Sequence, residues 1–272
     1  MKTLHILNRY SDDRNPYPLA DTLKSLGLDI QYLDLYKTEI NPTTGQIMFN
    51  GKTIPSNQTI INRITENFHQ VTHPLTEQLT KEGHTLINTH QSRTLASDKL
   101  QTYKHLTAKG IPAIETLPIF QGNSIPEKWI AKPNFGGGGR DIMLNLNNED
   151  VIPEKSIESW ITQPYIKNHQ DWIRILIVGE QIIATYKRIP SDVNASTNNI
   201  ETGGTREFIT PNQQMSELAL HASKTIGTLY AGIDIAYTPN QKHEYQIVEV
   251  NSSPGIPPTH LKQFSQEIIK HI

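Results

Sequence analysis

Four consecutive glycines, in the stretch KPNFGGGGRDI at 132–142, restrict the fold of this chain more than any other feature. Glycine in a regular element costs roughly 0.5–1 kcal/mol relative to alanine, so such a run indicates either a slack surface loop or backbone that must lie against a ligand. The segments KWIAK before it and DIMLNL after it both have strand composition, which predicts that the glycines form the tip of a hairpin. From this stretch alone, phosphate binding and a mobile surface hairpin both remain open.

The strand patterns on both sides also exclude two common phosphate-binding motifs. GxxxxGK[ST] and GxGxxG each stand between a strand and a helix, and here Arg140 and Asp141 occupy the positions that require lysine and glycine. A glycine hairpin can instead cover phosphates with its backbone N–H groups, as the glycine flap of protein kinases does. Lys132 enters this hairpin and is a suitable point charge for phosphate oxygens.

The composition limits the classes of function. The chain has 272 residues, enough for two or three modules, and its 25 Lys and Arg against 27 Asp and Glu give a net charge of -2. Because this leaves no overall basic field, neither nucleic acid nor a membrane is predicted as a partner. The absence of cysteine excludes disulfides, thiolate metal sites and a cysteine nucleophile. Apolar runs are too short for a signal peptide or for the ~20 residues of a membrane helix, so a cytoplasmic protein is predicted.

The pattern of strands and helices divides the chain into three modules. Residues 1–90 alternate strands such as LHIL and IQYLDL with helices such as PLADTLKSLG, which predicts a parallel sheet. The turn-rich stretch at 41–55 interrupts this alternation and predicts a small hairpin. Residues 91–162 begin with a capped helix and continue as strands. Residues 163–272 are rich in strands, with one helix between them and an amphipathic helix at the end.

A group of polar residues interrupts the apolar strands of the third module. Glu249 and Asn251 are two residues apart in QIVEVN and therefore project from one face, and Asp234 lies inside the apolar strand GIDIAY. The Pro-Asn turn signal between these strands predicts antiparallel pairing that brings Asp234 beside Glu249. Two carboxylates and an amide oxygen are hard ligands suited to Mg²⁺. Arg174, in the apolar run DWIRILIVG, predicts a buried partner of its own.

Taken together, these segments carry a family resemblance. The segments ASDKL, QPYIK, DWIR, GIDI and EVNSSPG, in this order, are specific as a set, and with them the chain resembles ATP-grasp carboxylate–amine ligases of the RimK group, the α-L-glutamate ligases. The resemblance implies an α/β (α+β) ATP-grasp fold that holds ATP between two antiparallel sheets. Residues 1–90 would be an N-terminal βαβ pre-ATP-grasp domain, 91–162 the central subdomain with the glycine hairpin, and 163–272 the C-terminal subdomain with the magnesium site.

The resemblance also implies roles for individual residues. The residues implied to bind the nucleotide are Lys99, Lys132, Gly136, Gly137, Gly138, Gly139, Gln163, Tyr165, Ile166 and Asp171. The implied ligands of Mg²⁺, or of Mn²⁺ as an alternative, are Asp234, Glu249 and Asn251. The implied catalytic residues are Arg174, Arg188 and Asn199, with Arg188 stabilising the acylphosphate and the oxyanion.

The implied reaction activates a carboxylate as an acylphosphate, which an amine then attacks to form an amide bond. An amino acid such as glutamate would be added to a small molecule, a peptide or a protein tail, and self-association of the chain is left open. Two other functions remain open from the sequence: an ATP-dependent small-molecule kinase, and a nucleotide-binding regulator that has kept the fold without turnover.

Four positions depart from the pattern of the family. Pro164 and Lys187 stand where acidic residues are usual, and Pro164 also removes a backbone donor. Glu201 and Thr202 precede the paired glycines, where arginine is common. The departures predict that the carboxylate or the amine differs from the substrates of the best-known members.

Overall fold

The first module is built on a parallel sheet, as its alternating pattern predicts. The computed structural model describes residues 3–8, 18–64, 69–120, 124–136, 142–145, 159–166, 172–189, 205–238 and 242–272. The first elements are β1 (Thr3–Asn8), α1 (Pro18–Ser25), β2 (Asp29–Asp34), β3 (Thr38–Ile40), β4 (Ile47–Phe49), β5 (Lys52–Thr53), β6 (Thr59–Asn62), α2 (His69–Lys81) and β7 (Thr85–Ile87). Strands β2, β1, β6 and β7 pair in this order, all parallel. The predicted excursion is confirmed as the small antiparallel sheet β3-β4-β5.

The second group of elements contains the strands that flank the glycines. It consists of α3 (His90–Ser97), α4 (Lys99–Ala108), β8 (Leu117–Ile119), β9 (Trp129–Pro133), β10 (Met143–Asn145) and β11 (Trp160–Pro164). These strands form an antiparallel sheet in the order β10-β9-β11-β8. Met143 pairs with Ala131, so the strands on either side of the glycine run are hairpin partners, as predicted.

The third group forms the largest sheet. Its elements are β12 (Trp172–Val178), β13 (Gln181–Ile189), β14 (Thr205–Phe208), α5 (Gln213–Ile226), β15 (Tyr230–Tyr237), β16 (Tyr245–Asn251) and α6 (Leu261–Ile269). The strands are antiparallel in the order β14-β13-β12-β15-β16. The boundaries at 90 and 162 stay predictions, and β11 runs across residue 162. Within the described residues, no helix is long and apolar enough to cross a membrane.

The two faces of this largest sheet have different neighbours. Ile175 and Ile233 point to one face, where they join an apolar cluster with α3, α4 and α5. Val178 and Tyr230 point to the other face and pack with α6 and with β1 and α1 of the first module. Because side chains alternate along a strand, this second face also carries Arg174, near the opposite end of β12. A polar site therefore lies on the same face as the packing between modules.

Candidate active site

The centre of the site is a buried ion pair between neighbouring strands. The pairing of β12 with β15 sets Arg174 directly opposite Asp234. Arg174 donates from Nε to Oδ1 at 2.6 Å and from Nη2 to Oδ2 at 2.5 Å. Burial favours the neutral form of both groups, but each partner outweighs it: Asp234 raises the pKa of Arg174, and Arg174 lowers the pKa of Asp234. The prediction of a buried partner for Arg174 is confirmed.

Two further polar residues extend this centre onto β16. Asp234 pairs in register with Glu249, and Gly232 pairs with Asn251, so the predicted antiparallel pairing is confirmed. Asn251 donates from Nδ2 to Oδ2 of Asp234 and to the carbonyl oxygen of Gly232, both at 3.3 Å. One face of two adjacent strands therefore carries two carboxylates and an amide.

This donor set fits magnesium in its chemistry, because carboxylate and amide oxygens are the ligands of a hard cation. Across the described part of the chain, no cluster of three or more His, Cys, Asp or Glu forms a metal site, and this set includes only two such residues, Asp234 and Glu249. Asn251 would have to turn its amide over to present oxygen, because Nδ2 faces Asp234. The roles of these three residues as metal ligands stay a prediction.

Two lysines lie near the same carboxylates, one on α4 and one on β9. Lys99 begins α4 after the N-cap Asp98, and its Nζ lies 3.9 Å from Oε1 of Glu249. Lys132, on β9, is only 8% exposed. Its pKa is lowered to about 8, chiefly by burial and further by the charge of Lys99, although Glu249 and Asp234 oppose the shift. The two lysines thus bring positive charge to Glu249 and Asp234.

The root of the glycine run is fixed by hydrogen bonds to α4. Lys99 donates from Nζ to the carbonyl oxygens of Asn134, at 3.2 Å, and Gly136, at 2.6 Å. The side chain of Asn134 accepts from the backbone N–H of Leu100 and donates to Asp98. Sequence reasoning assigned no role to Asn134, although its place directly after Lys-Pro and before the glycines could have indicated one.

Arg188 lies beside the central ion pair on β13. Its Nη1 is 3.7 Å from Oδ2 of Asp234, and its side chain is 21% exposed. Burial, and then the nearby charge of Arg174, lowers the pKa of Arg188. Adjacent strand residues project to opposite faces, so Lys187 points away from this site, toward the side of its register partner Glu207.

The segment predicted to line the adenine contains Gln163, Tyr165 and Ile166. Gln163 is buried at the end of β11 and donates from Nε2 to Oγ1 of Thr116 at 2.9 Å. The N–H of Tyr165 donates to the carbonyl oxygen of Lys128, so this N–H is already paired. Ile166 packs on the cluster of Ile114, Ala236 and Val248. The carbonyl groups and the N–H of Ile166 are therefore the better candidates for base recognition.

Several predicted site residues lie outside the described residues. These are Gly137, Gly138, Gly139, Asp171 and Asn199. Gly136, which is described, has a φ of 132°, a value that residues with a Cβ rarely adopt. The described site residues are linked by ion pairs, hydrogen bonds or nearby charge around Asp234 and Glu249; the others are Lys99, Lys132, Arg174, Arg188 and Asn251.

Comparison with known proteins decides the family. Residues 96–272, well over half of the chain, match the model of the RimK-like ATP-grasp domain. The chain belongs to the RimK-like ATP-grasp family. This RimK-like chain is 27% identical over 268 residues to the probable α-L-glutamate ligase 2 of Pseudoalteromonas atlantica, covering 92% of this chain and 85% of that protein.

More distant relatives agree. The glutamate–LysW ligase ArgX of Sulfolobus acidocaldarius is 26% identical over 185 residues, covering 62% of this chain and 64% of that protein. The solved structure of the ATP-grasp ligase PsnB complexed with minimal precursor, Mg and ADP has a TM-score of 0.67 at 14% identity, covering 98% of this chain and 97% of that one. The fold, α+β of the ATP-grasp type, and the class of enzyme, an ATP-dependent carboxylate–amine ligase, are confirmed as predicted.

Proposed function

We propose that this RimK-like protein joins an amino-acid carboxylate or amine to a peptide, a protein or a small molecule through an acylphosphate, with ADP and phosphate as the other products. One observation supports this proposal: two lysines and two carboxylates lie close together next to the glycine run. They are Lys99, Lys132, Glu249 and Asp234. Cations beside a glycine hairpin suit a nucleotide, and the carboxylates suit the metal that accompanies it.

Each step of the reaction needs charge stabilisation rather than a protein nucleophile. A carboxylate oxygen attacks the γ-phosphorus of ATP, the new O–P bond forms, and ADP leaves with the electrons of the broken bond. The amine then attacks the acyl carbon, phosphate leaves from the tetrahedral intermediate, and the amine loses its proton to solvent. Lys99 and Lys132 would hold phosphate oxygens in the first step, and Arg188 would stabilise the oxyanion in the second.

Magnesium, when bound by Asp234, Glu249 and Asn251, would neutralise phosphate charge. Manganese as the alternative metal, a cytoplasmic location and self-association stay predictions from the sequence.

The names of the relatives indicate the substrates to test first. They act on glutamate and, in one case, on LysW, so L-glutamate and glutamate-containing peptides are the first candidates. The departures at Glu201 and Thr202 favour a different partner, and for this reason the screen should include all amino acids.

The test is ADP release from ATP and Mg²⁺, with and without pooled amino acids and peptides, followed by mass spectrometry of the products. We expect ADP release that depends on both substrates and a product whose mass is the sum of the two substrates minus one water. The matched blank is Glu249→Gln, which removes a charge from a partly exposed carboxylate. ADP release with a phosphorylated product and no need for an amine would indicate a kinase instead. Stabilisation by ATP without any release would indicate a regulator.

A further inference from the structure

Two arginines lie side by side on adjacent strands next to the proposed reaction centre. Arg188 on β13 is the register partner of Arg206 on β14, and such directly opposite residues project from the same face of a sheet. The guanidinium carbon of Arg206 lies 5.5 Å from the ring centroid of Tyr186, two residues before Arg188. Like charges placed directly opposite each other destabilise a sheet. This arrangement therefore requires compensation.

The hydrogen bonds of Arg188 and Arg206 indicate that an acceptor could bind beside them. The Nε atoms of both Arg188 and Arg206 are buried and have no hydrogen-bond partner within the described residues. A buried donor left unpaired is unfavourable. Asp234 does not pair with these Nε atoms: its oxygens accept from Arg174 and Asn251, and its ion pair with Arg188 is with Nη1, at 3.7 Å.

The neighbouring Arg174 shows which group suits such a donor edge. Its Nε and Nη2 hold the two oxygens of one carboxylate. A guanidinium fork matches a carboxylate in this way because two parallel N–H groups face two oxygens. In Arg188 and Arg206, the Nε donor of this edge has no partner among the described residues.

The distribution of charge separates this pair from the proposed phosphate site. Lys99 and Lys132 interact with Glu249, on the β16 edge of the sheet. Arg188 and Arg206 lie toward the opposite edge, on β13 and β14. An anion bound there would lie next to the reaction centre without competing for the lysines.

We propose that Arg206, together with Arg188, binds a second carboxylate of the amino-acid or peptide substrate, one that is not phosphorylated. This inference rests on the proposed function, because that function identifies the bound anion as part of a ligase substrate. Arg206 then selects acidic substrates, and its role is to bind and orient them. The lysines remain responsible for ATP.

The experiment measures binding in the absence of turnover. Glutarate and L-glutamate are titrated calorimetrically into the full chain saturated with Mg²⁺ and ADP, using wild type, Arg206→Gln and Arg206→Lys. We expect saturable binding by wild type, at least about tenfold weaker binding by Arg206→Gln, and an intermediate loss for Arg206→Lys, because one charge-assisted bidentate pair is lost or reduced.

The matched control is Glu207→Gln, at the next position on β14, which is exposed and projects to the opposite face. Its affinity for glutarate should stay within about twofold of wild type, and so should the affinity of every variant for ADP. Thermal unfolding without ligand confirms that each variant is folded.

The proposal would be overturned by no saturable binding of either probe by wild type, by unchanged binding by Arg206→Gln, or by an equal loss of affinity for ADP. Inorganic phosphate is titrated as well, and phosphate binding that depends on Arg206 while glutarate binding does not would also overturn it. Failure of the ligase proposal is seen separately, as an absence of amide product in the turnover assay.

Discussion

Asp234 lies in the middle of an apolar strand, where its carboxylate is stable because hydrogen bonds from Arg174 replace those of water. Glu249, its register partner, is less buried, with a side chain 19% exposed. The two carboxylates should therefore respond differently to the same chemical change. Neutralising Asp234 leaves a buried guanidinium without its counter-ion, whereas neutralising Glu249 removes a charge 3.9 Å from Lys99 and near Lys132.

The first prediction compares Asp234→Asn with Glu249→Gln. Both should lower ligase activity roughly a hundredfold or more, because each removes charge from the proposed metal site. Asp234→Asn should also lower the free energy of unfolding by about 3–5 kcal/mol, the usual result of breaking a buried ion pair. Glu249→Gln should change it by about 0.5 kcal/mol or less. Chemical denaturation of both variants tests this, and equal destabilisation would contradict it.

The second prediction concerns His84, which is buried after α2. Burial lowers its pKa from 6.5, although Glu82 opposes the shift, and its Nδ1 accepts a hydrogen bond from the N–H of Gln58. Because the folded pKa is the lower one, the unfolded chain binds the proton first as the pH falls. The stability contributed by neutral His84 is therefore complete above pH 6.5 and is lost as the pH falls through the folded pKa.

The measurement is Tm at about pH 7.5 and about pH 5.5 for wild type and His84→Asn, whose amide oxygen can replace the Nδ1 acceptor. The fall in Tm on acidification should be smaller in the variant by about 1–3 °C. The exposed His221 provides the control, since His221→Asn should leave the fall unchanged. An identical fall in His84→Asn and wild type would disprove the assignment.

At the scale of elements, the segment that follows β16 packs closely against β15, because Gly232 of β15 has no side chain. A Cβ on Gly232 would lie 2.8 Å from Cβ of Pro254 and 3.4 Å from Cδ and Nε of Arg174. The carbonyl oxygen of Pro254 also accepts from Nη2 of Arg63, just after β6. Gly232 therefore permits the SSPG segment to connect the first module with the central ion pair.

The third prediction is that Gly232→Ala displaces Pro254 or Arg174 and lowers activity by about tenfold or more, since small misplacements near a reacting centre cost up to about a hundredfold. Gly255→Ala is the matched control, because nothing lies within 4 Å of its added Cβ. The rate of steady-state ADP release is measured for both variants. Equal activities would show that the close packing at Gly232 has no part in the reaction.

Most strands and helices could be predicted from the sequence because their apolar residues repeat with the proper period. The segment GIDIAY and its partner are an example, and their turn signal was enough to predict that Asp234 lies beside Glu249. Three elements were not predicted. The short helix α3 has the polar sequence HQSRTLAS, β14 reads TREF, and β11 contains a proline, so none has a clear apolar period. The pairing of Arg188 with Arg206 depends on β14 and was missed with it.

At the scale of the whole molecule, one buried side chain connects the parallel sheet with the largest antiparallel sheet. Asn88, after β7, donates from Nδ2 to the carbonyl oxygens of Tyr230 and Ser252, both at 2.8 Å. Its Oδ1 accepts from the N–H groups of Leu229, at 2.6 Å, and Tyr230, at 3.1 Å. No sequence pattern indicates these contacts, because all four bonds are formed with residues far along the chain.

The fourth prediction is that Asn88→Ala lowers the free energy of unfolding by about 3 kcal/mol or more, because it leaves buried backbone groups without partners. Denaturant titration measures the loss, and Gln101→Ala, at an exposed position of α4, should change stability by about 0.5 kcal/mol or less. A loss below about 1 kcal/mol for Asn88→Ala would mean that water replaces the amide at this junction.

The packing of α6 against α1 has a consequence for biosynthesis. Leu19 and Leu23 of the first helix share an apolar cluster with Phe264 and Ile268 of the last one. At about 5–20 residues per second, a ribosome takes on the order of tens of seconds to synthesise the chain between these helices. During that time part of the first module exposes apolar surface, so a nascent chain of this protein is a natural client for a chaperone.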